Sequence, residues 1–178
     1  MKDVRPTAGR VLSALFSILC SEENGSMENR TFLDLFAGTG RVGLEALKRG
    51  AASVVFVETL KNRANDIERA LPASYADDAV VLSLELRRAA AWLLRRERAF
   101  DVIFADPPYG EGWGAALLHI KDLEKLLKPQ GVMVVEHASR ETLSVPGGWT
   151  VTDVRPYGET TLTFLKRQDN SVPEEASS

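Results

Sequence analysis

The chain has 178 residues, of which 44% are hydrophobic and 7% aromatic, and this length suits one well-packed domain with little room for a second. Its formal net charge of -3 excludes a strong overall attraction to nucleic acid, although local basic clusters can still contact phosphates. Its single cysteine, Cys20, excludes an intramolecular disulfide and a cysteine-rich metal site.

The first predicted element is a helix whose buried face follows a three-to-four spacing. The apolar residues with that spacing are Val11, Leu15, Ile18 and Leu19. Basic residues before this run are also typical of a signal peptide, but Leu19 stands before Cys20, where a lipoprotein signal needs a small residue. We therefore favour the helix and a cytoplasmic location. No stretch is long enough to span a bilayer, so no membrane partner is expected.

Short apolar strands then alternate with helices. The predicted strands cover residues 31–37, 53–58, 79–84, 100–105 and 131–137, and the predicted helices cover 41–49, 60–71, 87–97 and 113–127. This alternation predicts a doubly wound α/β fold with a parallel sheet covered on both faces. Residues 149–167 predict an antiparallel hairpin at one edge of the sheet. We expect one domain over 1–167 and a disordered tail over 168–178.

A glycine loop follows the first strand, in the stretch DLFAGTGRVG. Gly38, Gly40 and Gly43 have the spacing of a dinucleotide site, with the acid Glu58 about twenty residues further on. Gly38 and Gly40 allow a sharp turn, and Gly43 allows the next helix to approach the sheet. A tight turn that binds no ligand has the same pattern, so the glycines alone do not establish a site.

Asp34 separates the two cofactor classes that such a loop can bind. A nicotinamide dinucleotide places its pyrophosphate at this helix N-terminus, where a nearby carboxylate would repel it. S-adenosylmethionine has no phosphate and carries an ammonium and a sulfonium group, so an acid favours it. Glu58 can accept hydrogen bonds from ribose hydroxyls in either case. The sequence therefore favours S-adenosylmethionine over the dehydrogenase alternative.

A second motif, FADPPYG, follows the fourth strand. In the common doubly wound order this strand lies beside the first, at the switch point where ligands bind. The two prolines stiffen the loop. Asp106 and the carbonyl of Pro107 could accept hydrogen bonds from an exocyclic amine, and Tyr109 could stack on a planar base. A simple turn remains the alternative.

These motifs together resemble those of a known family. The stretches RPTAGRVLSALFSIL (5–19), DLFAGTGRVGLEALKRGA (34–51), FDVIFADPPY (100–109) and YGETTLTFLKR (157–167) are similar to those of the bacterial RsmD-type 16S ribosomal RNA guanine-N2 methyltransferases. The similarity covers nearly the whole chain. The D-P-P-Y motif alone would also fit adenine-N6 methylases acting on DNA or RNA, and a catalytically inactive binding module is a further alternative.

The resemblance implies a Rossmann-like sheet of seven strands with an antiparallel last strand, and an enzyme without a metal. It places S-adenosylmethionine at Asp34, Gly38, Gly40, Glu58 and Glu85. It places the target amine at Asp106 and Pro107, with the flipped base stacked on Tyr109. It also implies a flap over cofactor and RNA, formed by Arg5, Thr7 and Arg10. The implied partner is ribosomal RNA, expected within an assembling small subunit. The chain departs from the family by lacking the basic hairpin that usually precedes Arg5, and by having Glu85 where an Asp or Asn usually contacts adenine.

The remaining basic residues and histidines are weaker candidates. Arg41, Lys48 and Arg49 lie near the predicted substrate mouth and could contact phosphates. The arginines in and after the fourth predicted helix, Arg87, Arg88, Arg95, Arg96 and Arg98, are expected to form a solvated face. His119 and His137 are expected to be packing or surface residues.

Overall fold

The structure is a computed structural model that describes residues 6–21 and 26–168. Its α-helices are α1 (Pro6–Leu19), α2 (Arg41–Lys48), α3 (Lys61–Ala70), α4 (Leu86–Arg95) and α5 (Trp113–Ala116). Its strands are β1 (Thr31–Asp34), β2 (Ser53–Val57), β3 (Ala79–Leu82), β4 (Phe100–Ala105), β5 (Leu127–Ala138), β6 (Trp149–Tyr157) and β7 (Thr160–Arg167). The predicted strands and the first three helices between them are confirmed, with boundaries shifted by a few residues.

The seven strands form one sheet in the order β3-β2-β1-β4-β5-β7-β6. Strands β1 to β5 pair in parallel, and β7 pairs antiparallel with both β5 and β6. The predicted doubly wound fold and its antiparallel terminal hairpin are confirmed. The chain winds outward from β1 to β3 and then returns to place β4 on the other side of β1. Strands β1 and β4 therefore flank the switch point, where a doubly wound sheet opens a crevice at the carboxyl ends of its strands.

Alternate residues of the central strands face two separate layers of core. Phe32, Phe56 and Phe104 pack toward α1 and α2, whereas Leu33 and Ile103 pack toward α4 and the segment after α5. Successive side chains of a strand point to opposite faces, so a strand that is covered on both sides is apolar throughout. This explains the continuous apolar runs in the sequence.

Helix α1 packs against the sheet through the predicted face. Val11, Leu15 and Leu19 are buried, as is Phe16, while Ile18 is only half-buried. The carbonyl of Leu19 at the end of the helix accepts a hydrogen bond of 2.7 Å from the guanidinium of Arg30. The amphipathic pattern therefore belongs to a helix of this domain's core. In the described ranges, no helix is long and apolar enough to cross a membrane.

The predicted helix over 113–127 is wrong. The segment contains the single turn α5, two 3-10 turns at Leu117–His119 and Leu123–Leu126, and then the start of β5. Asp122 adopts a left-handed backbone conformation, with φ 61°, which a continuous right-handed helix cannot contain. The segment is rich in helix-forming residues, but its apolar side chains pack on the sheet from several short turns and not from one helix.

Candidate active site at the carboxyl ends of the strands

A cleft of about 740 Å³ opens at the switch point of the sheet. Five parts of the chain contribute its walls: α1, the loop after β1 with the start of α2, the end of β2 with the start of α3, the end of β4 with the segment that follows it to Trp113, and the end of β5. Gly38, Glu58 and Asp106, which come from three separate sequence motifs, line this one cleft. The structure therefore brings the predicted glycine loop and the D-P-P-Y loop together.

The glycine loop has the geometry that the sequence predicted. Gly38 and Gly40 have φ values of 57° and 79°, in the left-handed region that favours glycine. Gly43 lies where α2 crosses β2, and a Cβ atom there would come within 2.3 Å of the Phe56 ring. Gly43 therefore allows the close approach of helix and sheet that was expected of it.

Glu58 joins the loops that follow β1 and β2. Its carboxylate accepts hydrogen bonds from the backbone N–H groups of Gly38 and Leu60, each at 2.9 Å. A carboxylate has about four acceptor positions, so two of them remain for a ligand. Because Glu58 also lines the cleft, it can accept ribose hydroxyls while it holds the glycine loop in place.

Asp34 lies behind the wall of the cleft and is 1% exposed. The N–H groups of Gly43 and Phe36 lie near enough to lower its pKa, but neither meets hydrogen-bond geometry, and within the described residues both carboxyl oxygens lack a partner. Burial, together with the charge of Asp106, raises the pKa of Asp34 to about 7. A buried unpaired carboxyl is costly, and a cation in the adjacent cleft would stabilise its charged form.

Asp106 opens into the cleft directly after β4. Loss of solvent around the carboxyl raises its pKa to about 6, even though the side chain is exposed on the cleft wall. Water in the open cleft limits this shift, and a ligand that fills the cleft would enlarge it. Pro107 is buried beside a smaller cavity of about 220 Å³, and Tyr109 is 45% exposed.

Sequence reasoning missed Glu136. This residue lies near the end of β5, is half-buried and lines the main cleft. A signal was present, because an acid ends the apolar run VMVVE as Glu58 ends SVVFV. Trp113 is a further residue without a sequence signal; it lines the cleft and packs edge-on against Phe36 at 5.1 Å between ring centroids.

Other predicted site residues lie away from the cleft or outside the described ranges. Glu85 is exposed and does not line the cleft. Its carboxylate caps α4 by accepting hydrogen bonds from the backbone N–H groups of Arg87 and Arg88, at 3.1 and 3.3 Å. Helix capping thus explains an acid at this position without a cofactor. Arg5 and the side chain of Thr7 lie outside the described residues, and Arg10 is exposed on α1.

The charge of the cleft distinguishes between cofactor classes. Among the described residues that line it, four are acidic and two are basic: Glu58, Asp106, Glu111, Glu136, Arg41 and Arg63. Buried Asp34 adds a further carboxyl behind the wall. This surplus of acids repels a pyrophosphate and attracts an ammonium or sulfonium. The residues present therefore fit S-adenosylmethionine and do not fit a nicotinamide dinucleotide.

The sheet order, the switch-point cleft and its acids define a methyltransferase of the Rossmann-like class. The model of the family described as Conserved hypothetical protein 95 matches residues 1–166, and the chain belongs to that family. Together with the individual relatives, this match confirms the predicted family, and the charge of the cleft fits the predicted cofactor.

Individual relatives cover most of this chain. YlbH of Bacillus subtilis is 32% identical over 173 residues, covering 92% of this chain and 88% of its own length. Ribosomal RNA small subunit methyltransferase D of Haemophilus influenzae is 31% identical over 153 residues, covering 83% and 75%. The solved structure of yhhF from Escherichia coli superposes with a TM-score of 0.73 at 25% identity, covering 89% of this chain and 86% of that one.

Proposed function

We propose that this protein transfers a methyl group from S-adenosylmethionine to the exocyclic N2 amine of a guanine in small-subunit ribosomal RNA. The observation that carries the proposal is that Asp106 opens into the same acidic cleft as the glycine loop and Glu58. A hydrogen-bond acceptor for an amine thus lies beside a site suited to a cationic methyl donor.

Residues of the cleft and of the two loops at its edge have separate roles in this reaction. Glu58 and the backbone of Gly38 and Gly40 hold the cofactor, and Asp34 stabilises its positive charge from behind the wall. Asp106 and the carbonyl of Pro107 accept hydrogen bonds from the two amine hydrogens. These bonds turn the nitrogen lone pair toward the methyl group and stabilise the positive charge that develops on nitrogen. The cofactor supplies the activated methyl group.

A guanine inside a helix cannot reach this cleft, so the target must be unpaired or flipped out. Tyr109, exposed at the end of the D-P-P-Y motif, offers a face on which the flipped base can stack. Ribosomal RNA as the substrate is supported by the name of the Haemophilus influenzae relative. The near-neutral charge of the chain favours a folded ribonucleoprotein, an assembling small subunit, over long naked RNA.

Product analysis tests this proposal. The protein is incubated with S-adenosylmethionine carrying a labelled methyl group and with immature small ribosomal subunits, deproteinised small-subunit RNA or DNA, and the nucleosides are then identified by mass. We expect labelled N2-methylguanosine, with the subunits as the best substrate. Labelled N6-methyladenosine, or label only in DNA, would replace guanine as the target. No transfer to any of the three, with the cofactor bound, would favour a binding module.

A further inference from the structure

The carboxyl groups of Asp106 and Glu136 lie in the cleft at the ends of two neighbouring strands. Strands β4 and β5 are parallel, and the last paired residues in their register are Ala105 and Val135. Asp106 and Glu136 are the residues that follow, and both line the cleft. Adjacent strands lie about 4.8 Å apart, so the two carboxyl groups are close enough to influence each other's charge.

The other groups around Glu136 do not neutralise the pair. Arg41, at the start of α2, is the described cation that lowers the pKa of Glu136, and no ion pair joins them within 4.0 Å in the part of the chain that the structure describes. On β7, uncharged Leu162 lies opposite Glu136. Among the α1 side chains that the structure describes, those that line the cleft are apolar: Ala8, Val11, Leu12 and Leu15. Within residues 8–21 and 26–168, the remaining charged groups of the cleft and its wall are Asp34, Glu58, Arg63 and Glu111.

Two acids at this separation in a partly dry site cannot both ionise easily. Burial, and then the charge of Asp106, raises the pKa of Glu136 to about 8. Burial raises the pKa of Asp106 to about 6. Near neutral pH the free protein therefore keeps one proton on the pair, mainly on Glu136.

We propose that Asp106 and Glu136 hold one proton between them, release it when the cationic cofactor binds, and regain it from the target amine during methyl transfer. This inference rests on the proposed function. It gives Glu136 a role as a positioning residue that acts through Asp106. Glu136 then sets the protonation state of the acid that contacts the amine.

Charge and atoms balance around this cycle. Methyl transfer needs the amine nitrogen about 3 Å from the methyl carbon, and Asp106 about 3 Å from the nitrogen, so the sulfonium acts on the pair at short range. Its positive charge favours two ionised carboxylates, and the displaced proton goes to solvent. The nitrogen then forms a bond to the methyl carbon as the carbon–sulfur bond breaks and its electron pair stays on sulfur. The positive nitrogen gives one proton to the pair, which returns to its starting state.

Calorimetry of cofactor binding measures this proton directly. Titrations at pH 7 in buffers with different ionisation enthalpies give the number of protons released. Binding of S-adenosylmethionine should release more protons than binding of its demethylated product, S-adenosylhomocysteine, because only S-adenosylmethionine carries a positive charge on sulfur. In Glu136→Gln this difference should fall, and what remains comes from Asp34, whose pKa of about 7 also lets it lose a proton when a cation fills the cleft. Glu68→Gln removes an exposed carboxyl of α3 and should keep the wild-type difference.

A second measurement needs only the wild-type protein. A proton that binding must displace makes affinity fall as pH falls, by up to about tenfold per pH unit for one whole proton. The affinity for S-adenosylmethionine divided by that for S-adenosylhomocysteine should therefore rise with pH and level off above about pH 8, the pKa of Glu136. The inference is overturned if this ratio is independent of pH, or if Glu136→Gln releases as many protons as wild type. Failure of either ligand to bind would instead contradict the proposed function.

Discussion

At the scale of single residues, three carboxyl groups at strand ends differ in what surrounds them. Asp34 is buried behind the cleft wall without a hydrogen-bond partner among the described residues, whereas Glu58 accepts two backbone N–H groups. Asp106 opens into the cleft, where removal from solvent raises its pKa to about 6. We propose that the same functional group serves as a buried counter-charge to the cofactor, as a link between two loops and as an acceptor for the target amine, because only its surroundings change.

Removal of Asp106 should separate catalysis from cofactor binding. We expect Asp106→Ala to lower the single-turnover rate by about 10²- to 10³-fold, the usual loss for one preorganised group that faces transition-state charge. Cofactor affinity should change much less, because Glu58 and the glycine loop remain. Tyr109→Ala should instead weaken RNA binding by about 1–3 kcal/mol of base stacking.

Single-turnover assays with saturating RNA and direct cofactor titration distinguish these effects. Asp77→Ala, an exposed aspartate away from the cleft, is the matched control and should behave as wild type. If Asp106→Ala keeps nearly the full rate on the true substrate, the amine-orienting role is wrong and the D-P-P-Y motif is a rigid turn.

At the scale of elements, the site depends on how closely α2 approaches the sheet. The glycine loop leads into α2, whose Gly43 lies against the fully buried ring of Phe56 on β2. A shift of this helix would move the N–H of Gly38 away from Glu58, since the 2.9 Å bond between them crosses from one loop to the other. Packing beneath the loop therefore fixes the geometry of the proposed cofactor site.

Replacing Gly43 should test this packing. Helix propensity alone would favour Gly43→Ala by about 1 kcal/mol, but the added Cβ would lie 2.3 Å from the Phe56 ring. Overpacking of this kind costs about 1–3 kcal/mol, so we expect a net loss in the free energy of unfolding and weaker cofactor binding. Urea denaturation and cofactor titration measure the two quantities.

Gly147→Ala is the control for this substitution, because a Cβ there meets nothing within 4 Å. It should be neutral or slightly stabilising, since alanine restricts the unfolded chain. A Gly43→Ala protein as stable as Gly147→Ala would show that the Phe56 ring moves at little cost.

At the scale of the whole molecule, the two faces of the sheet carry different basic groups. Helix α1 presents exposed Arg10 beside residues that line the cleft, whereas α4 packs on the opposite face. The guanidinium of Arg96 after α4 stacks 3.7 Å from the centroid of the Trp92 ring. The arginine of α1 is therefore better placed to meet a phosphate of RNA whose base enters the cleft.

RNA binding should depend more on the first of these two faces. We expect replacement of Arg5 and Arg10 by alanine to weaken RNA binding more than replacement of Arg95 and Arg96. It should also make the slope of log affinity against log salt shallower by about 0.7–0.9 for each phosphate that the protein no longer neutralises. Filter binding at several salt concentrations measures both the RNA affinity and its dependence on salt. A larger effect of the Arg95 and Arg96 pair would place the RNA on the α4 face.

The sequence by itself determined the local features: the alternating elements, the glycine turn, the acid that ends β2 and the stiff D-P-P-Y loop. These depend on side-chain periodicity and backbone conformation, which a short stretch of chain encodes. Only the tertiary structure decided that Glu136 and Asp106 line one cleft at neighbouring strand ends, that Asp34 lies behind the cleft wall, that Glu85 caps a helix and that residues 113–126 form separate turns. Those features depend on strand register and on contacts between segments far apart in the chain, where packing outweighs local preference.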